Sequence, residues 1–103
     1  MAYYSGNMTT DKINEIGIDD KDRLYIRPEK QTFEYIYRAA AEVGWDDKEK
    51  VLFSPKPREW SYYVWYRHII DIANDEYGCK LLLTDKTQWR NVPDDLQQQI
   101  LET

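Results

Sequence analysis

The sequence predicts an α+β fold: a small, mostly antiparallel sheet of three or four strands, two main helices packed on one face, and a short C-terminal helix. Three observations predict it. Leu24 and Ile26 alternate with polar or amphipathic neighbours beside the turn-forming run Asp19-Asp20-Lys21-Asp22, the mark of a half-buried strand. Apolar residues recur at three- and four-residue steps over 29–43 and again over 59–77, the period of an amphipathic helix. Cys79-Lys80-Leu81-Leu82-Leu83 follows Gly78 as a short, nearly continuous apolar run, which suits a strand. A mainly helical domain, with 50–53 as loop and the first hairpin marginal, is the competing fold.

In chain order, residues 1–10 are polar and aromatic without a period and are expected to be a flexible arm. Ile13, Ile16 and Ile18 are the first hydrophobic anchors. A hairpin pairing about 14–18 with 23–27 is the preferred reading of this stretch, and a short helix over 11–16 capped by Thr10 competes with it. The aspartates of the turn lack the central glycine and distal glutamate of a calcium loop. Pro28 suits a first helical position and Glu29 the positive end of a helix dipole. Phe33, Ile36, Tyr37, Ala40 and Val43 then share a face, Ala39-Ala40-Ala41 adds propensity, and Gly44 offers a left-handed exit. A helix over about 29–43 follows.

Trp45 anchors a polar excursion. Val51-Leu52-Phe53 reads as a strand over 50–53, ended by Ser54-Pro55-Lys56-Pro57. The second helix, about 59–77, turns Tyr62, Trp65, Tyr66, Ile69, Ile70, Ile72, Ala73 and Tyr77 to one broad arc. Arg67, His68, Asp71 and Asp75 fall opposite. Trp60 and Val64 lie outside the arc: either loop 54–58 covers them or they are open to a partner, and the loop's direct entry into this turn favours cover. The run 79–84 reads as a central strand covered on both faces, or as one with only its ends exposed. Trp89 is an isolated anchor, read within a helical turn capped by Thr87. Val92-Pro93-Asp94-Asp95 starts a short final helix that docks Leu96, Ile100 and Leu101.

At 103 residues the chain has the size of a single domain. Its 19 acidic and 14 basic residues leave a net charge of -5, which repels phosphate backbones, and no basic cluster reverses this, so nucleic acid is not an expected partner. Cys79 is the sole cysteine, so no internal disulfide forms, and its apolar setting marks a buried structural thiol. The N-terminus has no signal pattern, and no apolar run approaches the ~20 residues of a membrane-spanning helix. A cytoplasmic, soluble protein is expected, with no membrane partner.

The chemistry is sparse. His68, Asp71 and Asp75 share a helical face without a fourth ligand, which reads as a solvated face, and no metal site is expected. The carboxylate pairs at 19–20, 46–47 and 94–95 are explained by turns and a helix start. The scattered glycines form no phosphate loop, and no cofactor is expected. No catalytic residue stands out.

What remains is aromatic: the seven residues Trp60-Ser61-Tyr62-Tyr63-Val64-Trp65-Tyr66 hold five rings, and the chain has 4 Trp and 9 Tyr. Trp45, Arg58, Trp60, Tyr63, Trp65 and Trp89 are the candidate binding residues. Exposed Trp and Tyr point to a non-catalytic protein-interaction module, as a homodimer or with another protein. The alternative is a small-molecule-binding or enzymatic pocket lined by Trp45, Trp65 and Trp89, with His68 or a carboxylate moving the proton.

Arg23-Leu24-Tyr25-Ile26-Arg27-Pro28, Ser54-Pro55-Lys56-Pro57-Arg58-Glu59-Trp60 and Thr87-Gln88-Trp89-Arg90-Asn91-Val92-Pro93 give the chain a texture that resembles the small acidic orphan proteins encoded by gene cassettes of bacterial integrons. That resemblance implies a bacterial, cytoplasmic, often oligomeric adaptive protein. It transfers no functional residue.

Overall fold

The computed structural model describes residues 9–102. Of the expected flexible arm, residues 1–8 lie outside the described residues, and Thr9 and Thr10 open the first strand. The chain runs β1 (Thr9–Ile18), β2 (Leu24–Pro28), a 3-10 turn (Ile36–Arg38), β3 (Gly44–Asp46), β4 (Val51–Phe53), α1 (Tyr62–Tyr77), β5 (Cys79–Leu82), β6 (Gln88–Arg90) and α2 (Asp94–Leu101). The six strands form one sheet in the order β3-β4-β2-β1-β5, and β6 also pairs with β1. The contacts of β1 with β5 and β6 are parallel and the others antiparallel. The expected three- or four-stranded, mostly antiparallel sheet with two main helices and a third short one is therefore corrected: the sheet is six-stranded and mixed, and there are two α-helices among the described residues.

The hairpin forms as β1–β2, with Ile18 opposite Leu24 and Ile16 opposite Ile26. Its turn is organised by Asp19. One carboxylate oxygen accepts the N–H of Lys21 and of Arg23 at 2.9 Å, and the other accepts the Arg23 guanidinium at 2.8 Å. Burial pushes the Asp19 carboxyl up, but these donors outweigh it and hold the group below the ordinary carboxylate range.

The helix expected over 29–43 is absent. Pro28 ends β2 opposite Ile13 and does not start a helix. The following backbone is then captured by the buried Asp11, which accepts the N–H of Lys30 at 2.9 Å and of Gln31 at 2.7 Å. Phe33, Ile36, Ala40 and Val43 are buried, placed by turns and a single 3-10 turn, but Tyr37, expected on the same face, is exposed because no helix carries it there. Gly44 is no helix exit. It sits in β3, where a Cβ would overlap the ring of Phe53, its neighbour on β4. The left-handed residue of this stretch is Glu42.

The helix expected over 59–77 forms from Tyr62. Ser61 is its N-cap, accepting the N–H of Val64 at 3.2 Å, and Gly78 ends it with φ of 62°. It turns Trp65, Tyr66, Ile69 and Ala73 onto the core with Ile13, Ile16, Leu24, Ile26 and Leu52 of the sheet and Leu96 and Ile100 of α2. Each large side chain buried here contributes on the order of 1.5–3 kcal/mol.

Two further expectations fail at the C-terminal side. β5 is not a central strand. It lies at the end of the sheet path, and its residues alternate buried and exposed. Trp89 is in strand β6 opposite Ile16 and not in a helical turn. The Thr87 hydroxyl, expected as a helix cap, accepts the N–H of Thr84 and donates to Ile13 O at 2.7 Å. α2 forms as expected, although Leu101 stays exposed.

Candidate functional site

Trp60 immediately precedes the N-cap of α1, and Trp65 is the fourth residue within the helix. Residues at these two positions meet across the first turn as a hydrophobic staple, and the two indoles lie 4.7 Å apart, tilted by 54°. His68, one turn on, meets both edge-on, at 5.2 Å from Trp60 and 5.8 Å from Trp65. The sequence set His68 opposite the main aromatic arc. The chain before the helix folds Trp60 back over it, so the histidine joins the aromatic cluster. Loop 54–58 does not cover this corner: Trp60 remains 44% exposed and Val64 41%.

The Trp60, Trp65 and His68 rings line a groove of about 490 Å³ together with Ala39, Ala40, Ala41, Glu42, Pro55, Lys56 and Arg58. Arg58 reaches across to Glu42, with nitrogen and oxygen 3.2 Å apart. Both side chains are exposed, so this pair adds little stability. The groove is a wet-edged trough with aromatic and charged walls and not a closed chamber.

Of the candidate residues, Arg58, Trp60 and Trp65 come together here. Trp45 lies elsewhere, on β3, 5.8 Å from the Phe33 ring, its Nε1–H donating to Asp47. Trp89 packs against the core from β6. Tyr63 also packs against the core and stacks with Tyr66 at 6.5 Å. The proposed pocket of Trp45, Trp65 and Trp89 is not assembled. Among the described residues no group of three or more His, Cys, Asp and Glu side chains is placed to hold a metal ion. Asp71, on the face read as solvated, lies 4.0 Å from Arg67. Cys79 is buried, and burial pushes its thiol up, away from the thiolate a nucleophile needs. No helix of the described residues is long and apolar enough to cross a membrane.

A second concavity, of about 430 Å³, lies on the sheet face that the core does not use, around Tyr25, Arg23, Arg27, Phe53 and Arg90. Here two glycines each face an aromatic ring on the neighbouring strand. Gly17 pairs with Tyr25 and Gly44 with Phe53, and a Cβ on either glycine would collide with that ring. Arg23 stacks on Phe53 at 4.5 Å and Arg27 on Tyr25 at 5.7 Å. The Tyr25 hydroxyl donates to Glu15 at 2.6 Å, and Glu15 also accepts from Arg27. Burial first, and the Glu15 hydrogen bond second, push the Tyr25 hydroxyl up to about 12. At neutral pH it is a fixed donor and not a base. Sequence reading passed over this cluster because each residue is ordinary alone. The signal was the cross-strand pairing of glycine with an aromatic, visible only once the register is known.

A mixed six-stranded sheet with two α-helices among the described residues, and an open aromatic groove beside the first of them, define a small α+β protein. The chain belongs to the integron cassette protein Hfx_Cass5 family, whose model matches residues 11–87. A solved structure described as integron cassette protein Hfx_Cass5, from the mobile metagenome of the North West Arm Sewage Outfall, is 40% identical. The match covers 92% of this chain and 95% of that one, with a TM-score of 0.48. Membership therefore rests on sequence and not on superposition. No curated protein matches the chain. The cassette-protein resemblance read from the sequence holds at the level of the family.

Proposed function

We propose that this chain is a single-domain, cytoplasmic, non-catalytic protein-interaction module that works as a homodimer, with Arg58, Trp60 and Trp65 at the contact. The observation that carries this is Trp60: a large indole, 44% exposed, held against Trp65 and His68 at the rim of an open groove. A staple needs only an apolar residue at that position. Tryptophan there provides far more contact area than the staple uses. Trp and Arg are the residue types that dominate binding energy at protein interfaces, and a ring already fixed by its neighbours loses little freedom on contact. Two-fold pairing is the commonest way for such a patch to be covered.

Sedimentation equilibrium at micromolar concentration tests the reading. The wild type is expected as a dimer and Trp60→Ser as a monomer with an unchanged circular dichroism spectrum. A monomeric wild type removes the homodimer. A small-molecule site is the second reading, favoured by the meeting of His68 with Trp60 and Trp65 in a groove of ligand size. Its exposed walls suit a macromolecular surface better, because a small ligand binds with most of its area buried.

A further inference from the structure

We propose that Tyr35, Tyr37 and Arg38 form a second contact site, which takes a side-chain carboxylate from an acidic segment of a protein partner. The proposal rests on the interaction-module reading but uses a surface separate from the Trp60 groove.

The local sequence sets the geometry. Phe33 and Ile36 are fully buried, three residues apart, and the 3-10 turn that begins at Ile36 sends the residues between and after them outward. Tyr35 and Tyr37 are each 58% exposed, and Arg38 is exposed beside them. The backbone beneath is pinned. Ile36 N–H donates to Phe33 O at 3.0 Å, Arg38 N–H to Tyr35 O at 3.0 Å, and Tyr35 N–H to the Tyr77 hydroxyl at the end of α1 at 3.1 Å. The three outward side chains brace one another. The Arg38 guanidinium carbon lies 4.8 Å from the Tyr35 ring centre and 5.9 Å from that of Tyr37, and the two rings are 6.5 Å apart.

What this guanidinium lacks is an acid. In a chain with 19 acidic residues, Arg23, Arg27, Arg58 and Arg67 each meet a carboxylate, and Arg90, which like Arg38 has no such pair among the described residues, lines the concavity around Tyr25. Among the described residues none pairs with Arg38. The acids near it in sequence are engaged elsewhere: Glu34 accepts from the Thr32 hydroxyl and Glu42 pairs with Arg58. With its carbon over the tyrosine rings, the guanidinium keeps its planar N–H fork, the geometry that a carboxylate accepts through two parallel bonds. The ring contacts restrain the long side chain, so less rotamer freedom is lost on binding. The tyrosine rings supply apolar area for the stem of the incoming Glu or Asp. A nucleic acid fits worse, because it needs a row of cations along the backbone and the chain carries a net charge of -5. That same charge slows the approach of an acidic partner, so the site selects by local fit and not by long-range steering.

A nitrogen-15 NMR titration of the full chain with a hexaglutamate peptide in low-salt buffer tests this. The expected result is a saturable shift of the Arg38 Nε–H signal together with the Tyr35 and Tyr37 amides. Affinity should fall roughly tenfold in Arg38→Gln, the size of one charge-assisted contact. Arg38→Lys should lose nearly as much, because it keeps the charge but not the planar fork. Trp60→Ser should bind the peptide as the wild type does, so the two contact surfaces are judged separately. An Arg38 signal unmoved at millimolar peptide, or equal affinity in Arg38→Gln, overturns the proposal. So does inorganic phosphate binding the site as tightly as the peptide, since the site would then recognise phosphate and not a protein carboxylate.

Discussion

Residues 29–43 and 59–77 carry the same apolar rhythm, yet the second is a helix and the first is not. Both bury residues at three- and four-residue steps: Phe33, Ile36, Ala40 and Val43 in one, Trp65, Tyr66, Ile69 and Ala73 in the other. The first even has the better intrinsic formers, three alanines in a row. The ends decide the difference. α1 has a Ser61 cap, a Trp60–Trp65 staple and a left-handed Gly78. Segment 29–43 enters from a strand with Asp11 holding the N–H of Lys30 and Gln31, has no side-chain cap on its 3-10 turn, and turns left-handed at Glu42. Periodicity says which residues go inside, and termini choose the backbone that carries them there. The sequences around the two contact surfaces proposed here follow from this: a capped helix presents Trp60, and a pinned turn presents Tyr35, Tyr37 and Arg38.

Four substitutions test that contrast. Ile69→Ala in α1 and Ile36→Ala in the turn segment both empty fully buried positions and should each cost about 2–5 kcal/mol in urea unfolding. If Ile36→Ala costs much less than Ile69→Ala, segment 29–43 is an ornament and not a packed part of the core. Asp11→Ala removes a carboxylate that accepts three partly buried backbone N–H groups, those of Lys12, Lys30 and Gln31. A loss of about 1–3 kcal/mol is expected, with faster amide hydrogen exchange at Lys30 and Gln31. Should circular dichroism instead show a gain in helix, release of the pin alone lets the latent periodicity win. Ser61→Ala removes only the α1 cap and should cost about 1 kcal/mol, with exchange rising first at Val64. A neutral result would shift the credit for this helix start to the tryptophan staple.

Much of the fold was legible because its cues are local. The hairpin around Asp19, strand β4 before the prolines, α1 and α2 each announce themselves within a dozen residues. Most of the misses are non-local. Nothing near Gln31 says that Asp11, twenty residues earlier, will hold its backbone. Nothing near Trp89 says that it pairs with Ile16. The alternation of β5 is masked in the sequence by Leu82, an apolar residue on the exposed side. In the candidate groove, Arg58, Trp60 and Trp65 were legible because one short stretch of chain carries them. His68 was misassigned because a helical wheel begins at the helix, and the residue that covers it lies before the helix starts. The staple pattern itself, an aromatic before Ser61 and another four residues into the helix, was in the sequence and would have placed it.

β1 is joined along one edge by two separate short strands: residues 9–12 pair with Cys79–Leu82 and residues 15–17 with Gln88–Arg90, both in parallel. The Thr87 hydroxyl bridges the break by donating to Ile13 O. During synthesis the hairpin β1–β2, and then β3 and β4, can assemble as soon as they emerge. The other edge of β1 has no partner until the last quarter of the chain is made. For that interval an extended strand presents unsatisfied N–H and C=O groups, which is a template for pairing with a neighbouring chain. Closing it requires contacts across some seventy residues, the slowest kind to form. The order of birth thus divides this sheet into an early antiparallel half and a late parallel half, and the yield of folded protein depends on how quickly the second catches the first.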